Sequence, residues 1–240
     1  MTYVEGFIVP VPRDKREAYR QHAAAAVPLF HEFGVRRHVE AWEDDVKDGQ
    51  HTDFRRAVLA GEGEKVVFSW FEYPDKAARE AANARIMSDP RMHEIGQSMP
   101  FDGKRMVFGG FDVFVDLGKA GGRYVDGFVL AVPHGNREAY RSLANQAWQN
   151  FSKHGALRLV EAWGEDVPDG QVTDFRRSVA AEPGEAVVFS WLEWPSKQAR
   201  DEAWPRIMQE EPSHSAAEAP FDGKRMFWGG FEIILDEVKD

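Results

Sequence analysis

The sequence predicts an α+β protein built from two ferredoxin-like β-α-β-β-α-β units that pack against each other sheet to sheet. Three observations support this prediction. The chain repeats itself, each copy alternates between strand-like and helix-like patterns in that order, and each copy carries an aromatic sheet face too large to remain in contact with water.

The repeat is visible as matching segments about 120 residues apart. The matching pairs are Arg16–Arg20 with Arg137–Arg141, Val39–Trp42 with Val160–Trp163, Thr52–Arg56 with Thr173–Arg177, Val66–Trp70 with Val187–Trp191, and Pro100–Met106 with Pro220–Met226. Two copies of this length form a pair of domains rather than a solenoid. We therefore assign residues 1–118 to the first repeat and residues 122–240 to the second, with a linker at Leu117–Arg123.

The first half of each repeat reads as strand, helix, strand. In the first copy, the β-branched and aromatic segment Tyr3–Val9 predicts a strand. Apolar residues then recur at helical spacing from Tyr19 to Phe33, and Gly34 is placed to end that helix. The segment Val35–Glu43 predicts the second strand.

The second half of the repeat predicts a short strand, a long strand, a helix and a final strand. The short strand is expected around Phe54–Leu59 and the long one at Lys65–Tyr73. Asp75 can cap a helix that runs to about Ser88. An Asp-Gly turn then precedes the last strand, Lys104–Val115.

Residue alternation along these strands assigns side chains to two sheet faces. The face predicted to lie under the helices carries small or β-branched residues: Val4, Gly6, Ile8, Val39, Ala41, Val67, Ser69 and Gly109. The face predicted to meet the other repeat carries larger ones: Tyr3, Phe7, Glu40, Trp42, Phe68, Trp70 and Phe108. We therefore expect Trp42 and Trp163 to be buried between the two sheets.

Composition limits the functions that the chain can have. Of 240 residues, 43% are hydrophobic, which suffices for a sizeable core, and the net charge is −10. An acidic chain without basic runs argues against binding to nucleic acid or to an anionic membrane. The lack of cysteine excludes disulfides and thiolate chemistry. The N-terminus reads as a strand rather than a signal peptide, and no segment is long and apolar enough to span a bilayer, so a cytoplasmic protein is expected.

Several of the repeated segments resemble the YbaA-like bacterial family. They are Tyr3–Pro12, Val66–Trp70 and Pro100–Phe111 in the first copy, and Tyr124–Pro133, Val187–Trp191 and Pro220–Phe231 in the second. The resemblance covers nearly the whole chain twice, and it implies a dimeric α/β barrel in which two single-domain subunits meet sheet to sheet. Because this chain fuses two units, the pair is expected within one chain as a pseudo-dimeric barrel. The resemblance implies no activity, since the family is of unknown function.

Glu40 and Glu161 are the positions most suggestive of chemistry. Alternation places both carboxylates on the face with the large aromatic residues, where a buried carboxylate either pairs with an arginine or has a raised pKa that suits a general acid or base. The candidate pocket comprises Glu40, Trp42, Trp70, Arg56, Arg105, Glu161, Trp163, Trp191, Arg177 and Arg225.

Motifs for metal ions and cofactors do not occur in the sequence. There is no His-Glu-x-x-His, no Gly-x-Gly-x-x-Gly and no calcium-loop spacing, so we predict neither a metal nor a cofactor. The leading functional hypothesis is a barrel that binds a small, partly apolar molecule in its interior. The alternatives are an enzyme similar to cofactor-independent monooxygenases, by analogy of fold, and a purely structural or protein-interaction module.

Overall fold

The computed structural model describes residues 2–210 and 219–239. The strands are β1 Tyr3–Pro12, β2 Arg37–Val46, β3 Glu64–Tyr73, β4 Val107–Gly118, β5 Tyr124–Pro133, β6 Arg158–Asp166, β7 Glu185–Trp194 and β8 Phe227–Val238. The α-helices are α1 Arg16–Phe33, α2 Phe54–Ala57, α3 Lys76–Ser88, α4 Pro90–Gln97, α5 Arg137–Lys153, α6 Phe175–Ser178 and α7 Lys197–Glu210. Within this part of the chain, none of the helices has the length and hydropathy needed to cross a membrane.

The strands form one closed antiparallel barrel in the order β1-β3-β2-β8-β5-β7-β6-β4. Each repeat contributes a ferredoxin-like sheet of four strands, and the two sheets join where β2 pairs with β8 and β4 pairs with β6. Closure leaves no sheet edge open along these strands. The predicted pseudo-dimeric α/β barrel within one chain is confirmed.

The predicted assignment of sheet faces is wrong for three of the strands. Residues of β1, β2 and β4 predicted to lie under the helices face the barrel interior instead: Val4, Gly6, Ile8, Val39, Ala41 and Gly109. Larger residues predicted to face the interior lie on the outer face: Tyr3, Phe7, Glu40, Trp42 and Phe108. On β3 the assignment is right, with Phe68 and Trp70 inside.

The strand register explains this error. Directly opposed residues of neighbouring strands project to the same face of a sheet. Glu40 pairs with Ser69, and Val39 pairs with Trp70. Glu40 therefore shares its face with Ser69. The assignment from the sequence places Glu40 on the same face as Trp70, because alternation does not show how neighbouring strands are aligned. Trp42 is buried as predicted, with 5% of its surface exposed, but it lies between helix and sheet rather than between two sheets.

Aromatic rings fill the barrel interior. The largest fully buried side chains there are Phe54, Phe68, Trp70, Phe111, Phe175, Phe189, Trp191 and Phe231. Phe68 and Phe189 stack at a centroid distance of 4.4 Å, and the rings of Trp70 and Trp191 are 4.5 Å apart. Each pair joins equivalent positions of the two repeats, so the centre of the barrel is packed around the pseudo-two-fold axis.

A one-turn helix stands where the sequence predicts a short strand at Phe54–Leu59. The side chain of Asp53 accepts a hydrogen bond from the backbone N–H of Arg56, which starts α2 in the manner of an N-cap. The helix directs Phe54 into the barrel, where its ring lies 4.8 Å from Phe227 and 4.9 Å from Phe231. Helix α6 repeats this arrangement, so two short helices close one end of the barrel.

Ion pairs occupy the opposite end of the barrel. Arg37 contacts Asp236 at 2.8 Å and Glu193 at 2.8 Å, both from the second repeat. Its counterpart Arg158 contacts Asp116 at 2.8 Å and Glu72 at 2.7 Å, both from the first repeat. These buried contacts tie the two repeats together across the pseudo-two-fold axis.

Candidate functional site

A tyrosine and a glutamate form a buried hydrogen-bonded pair in each repeat, between the long helix and the outer face of the barrel. Tyr19 of α1 donates its hydroxyl to Glu40 Oε2 of β2 at 2.8 Å. Tyr140 of α5 donates its hydroxyl to Glu161 Oε2 of β6 at the same distance, 2.8 Å. The two glutamates are 5% and 6% exposed. Because burying a carboxylate is costly unless its oxygens are hydrogen-bonded, each tyrosine stabilises one carboxylate oxygen in place.

The first polar site consists of Tyr19, His38 and Glu40. The Nε2 atom of His38 lies 2.6 Å from Glu40 Oε1, so each oxygen of this carboxylate has a partner. His38 is 1% exposed, and its ring meets those of Phe30 and Phe71 nearly edge-on at 5.4 and 4.5 Å. The first repeat therefore holds a tyrosine–glutamate–histidine cluster.

The second polar site consists of Tyr140, Glu161 and Ser190. Leu159 stands where the first repeat has His38, so no imidazole approaches this carboxylate from that position. Burial raises the pKa of Glu161 to about 7, although the hydroxyls of Tyr140 and Ser190 favour the ionised form. A carboxyl group with such a pKa is populated in both protonation states near neutral pH, as a general acid or base requires.

Apolar side chains surround each polar site, and one of them comes from the other repeat. The first site lies in a cluster with Trp42 and Val67, to which Ile234 of the second repeat contributes. The second site lies in the corresponding cluster around Trp163, where Phe114 of the first repeat packs 5.7 Å from the Trp163 ring. Each site is therefore complete only when both repeats are assembled.

A short loop covers the first polar site. Phe101 lies within the repeated segment Pro100–Met106, and the centroid of its ring is 5.6 Å from the centroid of the Tyr19 ring. The loop turns through the helical turn Gly103–Arg105, where Asp102 accepts a hydrogen bond from Lys104 N. Arg105 fixes the loop to the start of β3 through two contacts with Glu64, at 2.8 and 2.7 Å.

The second loop is built in the same way. Phe221 packs 5.7 Å from Tyr140, and Arg225 contacts Glu185 at 2.7 Å. The two Asp-Gly turns thus have the structural role that the sequence predicts, and they also hold an aromatic side chain over each tyrosine–glutamate pair.

The structure does not bring the ten predicted pocket residues together. Glu40, Trp42, Glu161 and Trp163 lie on the helix-covered face. Trp70 and Trp191 lie inside the barrel. The four arginines lie elsewhere: Arg56 and Arg177 bind the carbonyls of Gly49 and Gly170, while Arg105 and Arg225 hold the covering loops.

Of the two alternatives predicted for these glutamates, pairing with an arginine does not occur among the described residues. The side-chain hydrogen bonds described for these carboxylates come from tyrosine in both repeats and, for Glu40, also from histidine. The alternative, a carboxyl group with a raised pKa, is the one that Glu161 follows.

The two tyrosines are the site residues that the sequence analysis missed. In the sequence, Tyr19 fits the apolar spacing of a helix, and this pattern alone assigns it to the core. One signal could have identified it: the tyrosine of the matching segments Arg16–Arg20 and Arg137–Arg141 precedes the glutamate by 21 residues in both repeats. The repeat gives no signal for His38, because the second repeat has Leu159 at the corresponding position.

These observations define a class of protein, a pseudo-dimeric α/β barrel with a buried tyrosine–glutamate pair under the long helix of each half. The family model described as "Protein of unknown function (DUF1428)" matches residues 2–103 and 123–223, and the chain belongs to this family. The "Uncharacterized protein YbaA" of Escherichia coli K12 is 63% identical over 116 residues, which cover 48% of this chain and 99% of that protein. The protein of the same name from Shigella flexneri gives the same values, 63% over 116 residues. One such relative therefore corresponds to a single repeat.

Solved structures resemble the whole chain in fold. A "Putative monooxygenase" from Fusobacterium nucleatum superimposes with a TM-score of 0.61 at 12% identity, covering 99% of this chain and 94% of that one. An "anthrone oxidase-like protein" superimposes with a TM-score of 0.55 at 11% identity, covering 99% of this chain and 92% of that one. At these identities the similarity concerns the fold alone.

Proposed function

We propose that each repeat binds a small, partly apolar molecule at its polar site, and that Glu161 exchanges a proton with the molecule bound in the second repeat. The observation that carries the proposal is the environment of Glu161. Its carboxyl group is buried and accepts a hydrogen bond from Tyr140, and burial raises the pKa of Glu161 to about 7. A general acid or base is most effective when its pKa lies near the working pH.

The surroundings of the sites indicate the kind of molecule. Trp163, Phe114 and Phe221 pack around Tyr140, and Trp42 and Phe101 pack around Tyr19. A flat, largely apolar compound with one weakly acidic group would match aromatic walls that enclose a single carboxylate. Phenols and quinols have these properties.

The position proposed for the ligand differs from the sequence hypothesis. Aromatic side chains from both repeats occupy the barrel interior, whereas the polar sites lie outside the barrel wall. Because each glutamate is nearly fully buried, a ligand would reach it by displacing the covering loop, with Phe101 or Phe221 moving first.

A binding screen with matched variants tests the proposal. Ligand-observed NMR would compare phenols and quinols with the unmodified protein, with the double variant Glu40→Gln and Glu161→Gln, and with Glu94→Gln, which alters an exposed glutamate. We expect the double variant to bind at least about ten-fold more weakly than the other two, the loss expected when a hydrogen bond to a charged group is removed. Equal binding by all three proteins, or none by any, contradicts the proposal.

A monooxygenase-like activity is a second candidate, and it uses the same proton transfer. Removal of a proton by Glu161 would make a phenolic or anthrone-like substrate electron-rich. With dioxygen as the oxidant, a methylene group would become a carbonyl and the second oxygen atom would leave as water. The fold likeness to the "Putative monooxygenase" and the "anthrone oxidase-like protein" supports this candidate by analogy. Oxygen consumption with an anthrone, absent in the double variant, is the expected result.

A further inference from the structure

One ring nitrogen of His38 is buried without a hydrogen-bond partner. His38 is 1% exposed, and its Nε2 atom faces Glu40 Oε1 at 2.6 Å. Its Nδ1 atom has no partner among the residues that the structure describes. With the proton on Nε2, shared with the carboxylate, Nδ1 carries a lone pair and acts as an acceptor. A buried acceptor of this kind is a place where a donor group of a ligand can bind.

The second repeat has no such acceptor at the corresponding position. Leu159 replaces His38 and packs in an apolar cluster with Leu192, Phe151 and Trp148. Leu192 in turn stands where the first repeat has Phe71, which contacts the His38 ring. The two polar sites therefore differ both at this position and at the neighbouring residue. Because the two repeats are fused in one chain, their sites can differ in sequence.

We propose that His38 makes the first polar site selective for ligands that carry a hydrogen-bond donor, such as a phenolic hydroxyl, while Leu159 leaves the second polar site without this preference. The inference rests on the proposed function, because it assigns ligand selectivity to the same sites. Glu40 orients the imidazole from one side, and the ligand donor completes the other side. His38 is then a specificity-determining residue.

Phenol and toluene are suitable probes, since they have nearly the same size and differ in one hydroxyl group. Titrations would be followed by NMR through the indole N–H signals of Trp42 and Trp163, which report the first and second sites separately. We expect the ratio of phenol affinity to toluene affinity to be about ten-fold higher at the Trp42 site than at the Trp163 site, a difference that corresponds to one hydrogen bond. The ¹⁵N signal of His38 Nδ1 is expected to shift with phenol and not with toluene.

Two variants exchange the histidine and the leucine between the two sites. His38→Leu installs the residue of the second repeat and should abolish the preference at the Trp42 site, while Leu159→His should create one at the Trp163 site. Equal phenol-to-toluene ratios at the two sites of the unmodified protein overturn the inference alone and need no variant. Failure of both probes to bind at either site, with the phenol and quinol screen also negative, overturns the proposed function and this inference with it.

Discussion

The phenyl rings of Phe68 and Phe189 stack at a centroid distance of 4.4 Å with their planes 7° apart. They occupy equivalent positions in the two repeats, so the stack joins the halves at the centre of the barrel. Gly127 and Gly6 make this packing possible, because a Cβ atom at either glycine would lie 3.0 Å from the ring of Phe68 or Phe189 respectively. The contact between the repeats thus depends on large and small residues that alternate across the barrel.

Phe68→Ala should lower the free energy of unfolding by roughly 3–5 kcal/mol, the usual cost of deleting a buried phenyl ring. Phe189→Ala should have a similar effect, because the two rings are equivalent. Chemical denaturation would measure both. Phe108→Ala, at a ring that is 39% exposed, serves as the control and should change stability much less. Similar losses for Phe68 and Phe108 would show that the stack does not hold the barrel together.

Gly6→Ala should destabilise the protein by about 1–3 kcal/mol, because the added methyl group must push against the Phe189 ring in a packed core. Gly63→Ala is the matched control, since a Cβ atom there meets nothing within 4 Å. Thermal melts of the two variants would be compared. A Gly6→Ala protein as stable as Gly63→Ala would mean that the barrel interior can expand without cost.

Arg37→Met should cost about 3–5 kcal/mol, because it leaves the fully buried Glu193 without its main partner. Burial alone would raise the pKa of Glu193, but the contacts with Arg37 and with the backbone N–H groups of Gly121 and Gly122 outweigh it and lower the pKa. Arg20→Met removes an exposed arginine paired with Glu17 and should change stability far less, because solvent screens such a pair. Equal effects of the two substitutions in denaturation experiments would contradict this account.

The order of the long elements could be read from the sequence because it depends on local patterns. Gly34 ends α1 with φ at 116°, as expected of a helix-terminating glycine. The face of Glu40 could not be read in this way, because it depends on which residue of β3 lies opposite. A shift of one residue in register reverses every face. Helix α2, which Asp53 caps, spans only the four residues Phe54–Ala57. Four residues are too few to show a helical repeat, so the sequence predicts a strand there instead.

The candidate site was predicted in part for the same reason. Both glutamates were identified from the repeat, and burial, which raises the pKa of Glu161, was part of that prediction. Their tyrosine partners come from α1 and α5, and contacts between elements distant in sequence leave no local pattern. Tyr19 in particular has the helical spacing of a core residue, and only its hydroxyl distinguishes it from one.

The last prediction concerns the dependence of stability on pH. The pKa of Glu161 is about 7 in the folded protein, raised from an ordinary value of 4.5. The folded state therefore binds this proton more tightly than the unfolded state does. The stabilisation of the folded state by this tighter proton binding is fully present below about pH 4.5 and is lost as the pH rises through about 7. The loss could amount to roughly 3 kcal/mol.

Glu161→Gln should remove this part of the pH dependence, because a glutamine amide does not titrate and still accepts the Tyr140 hydroxyl hydrogen bond. The variant is expected to match or exceed the stability of the unmodified protein at pH 8. Free energies of unfolding measured between pH 4.5 and pH 8 should therefore diverge as the pH rises, with Glu94→Gln following the unmodified protein throughout. Parallel curves for Glu161→Gln and the unmodified protein would show that Glu161 titrates alike in the folded and unfolded states. The carboxyl group would then lack the raised pKa on which proton exchange at the second polar site depends.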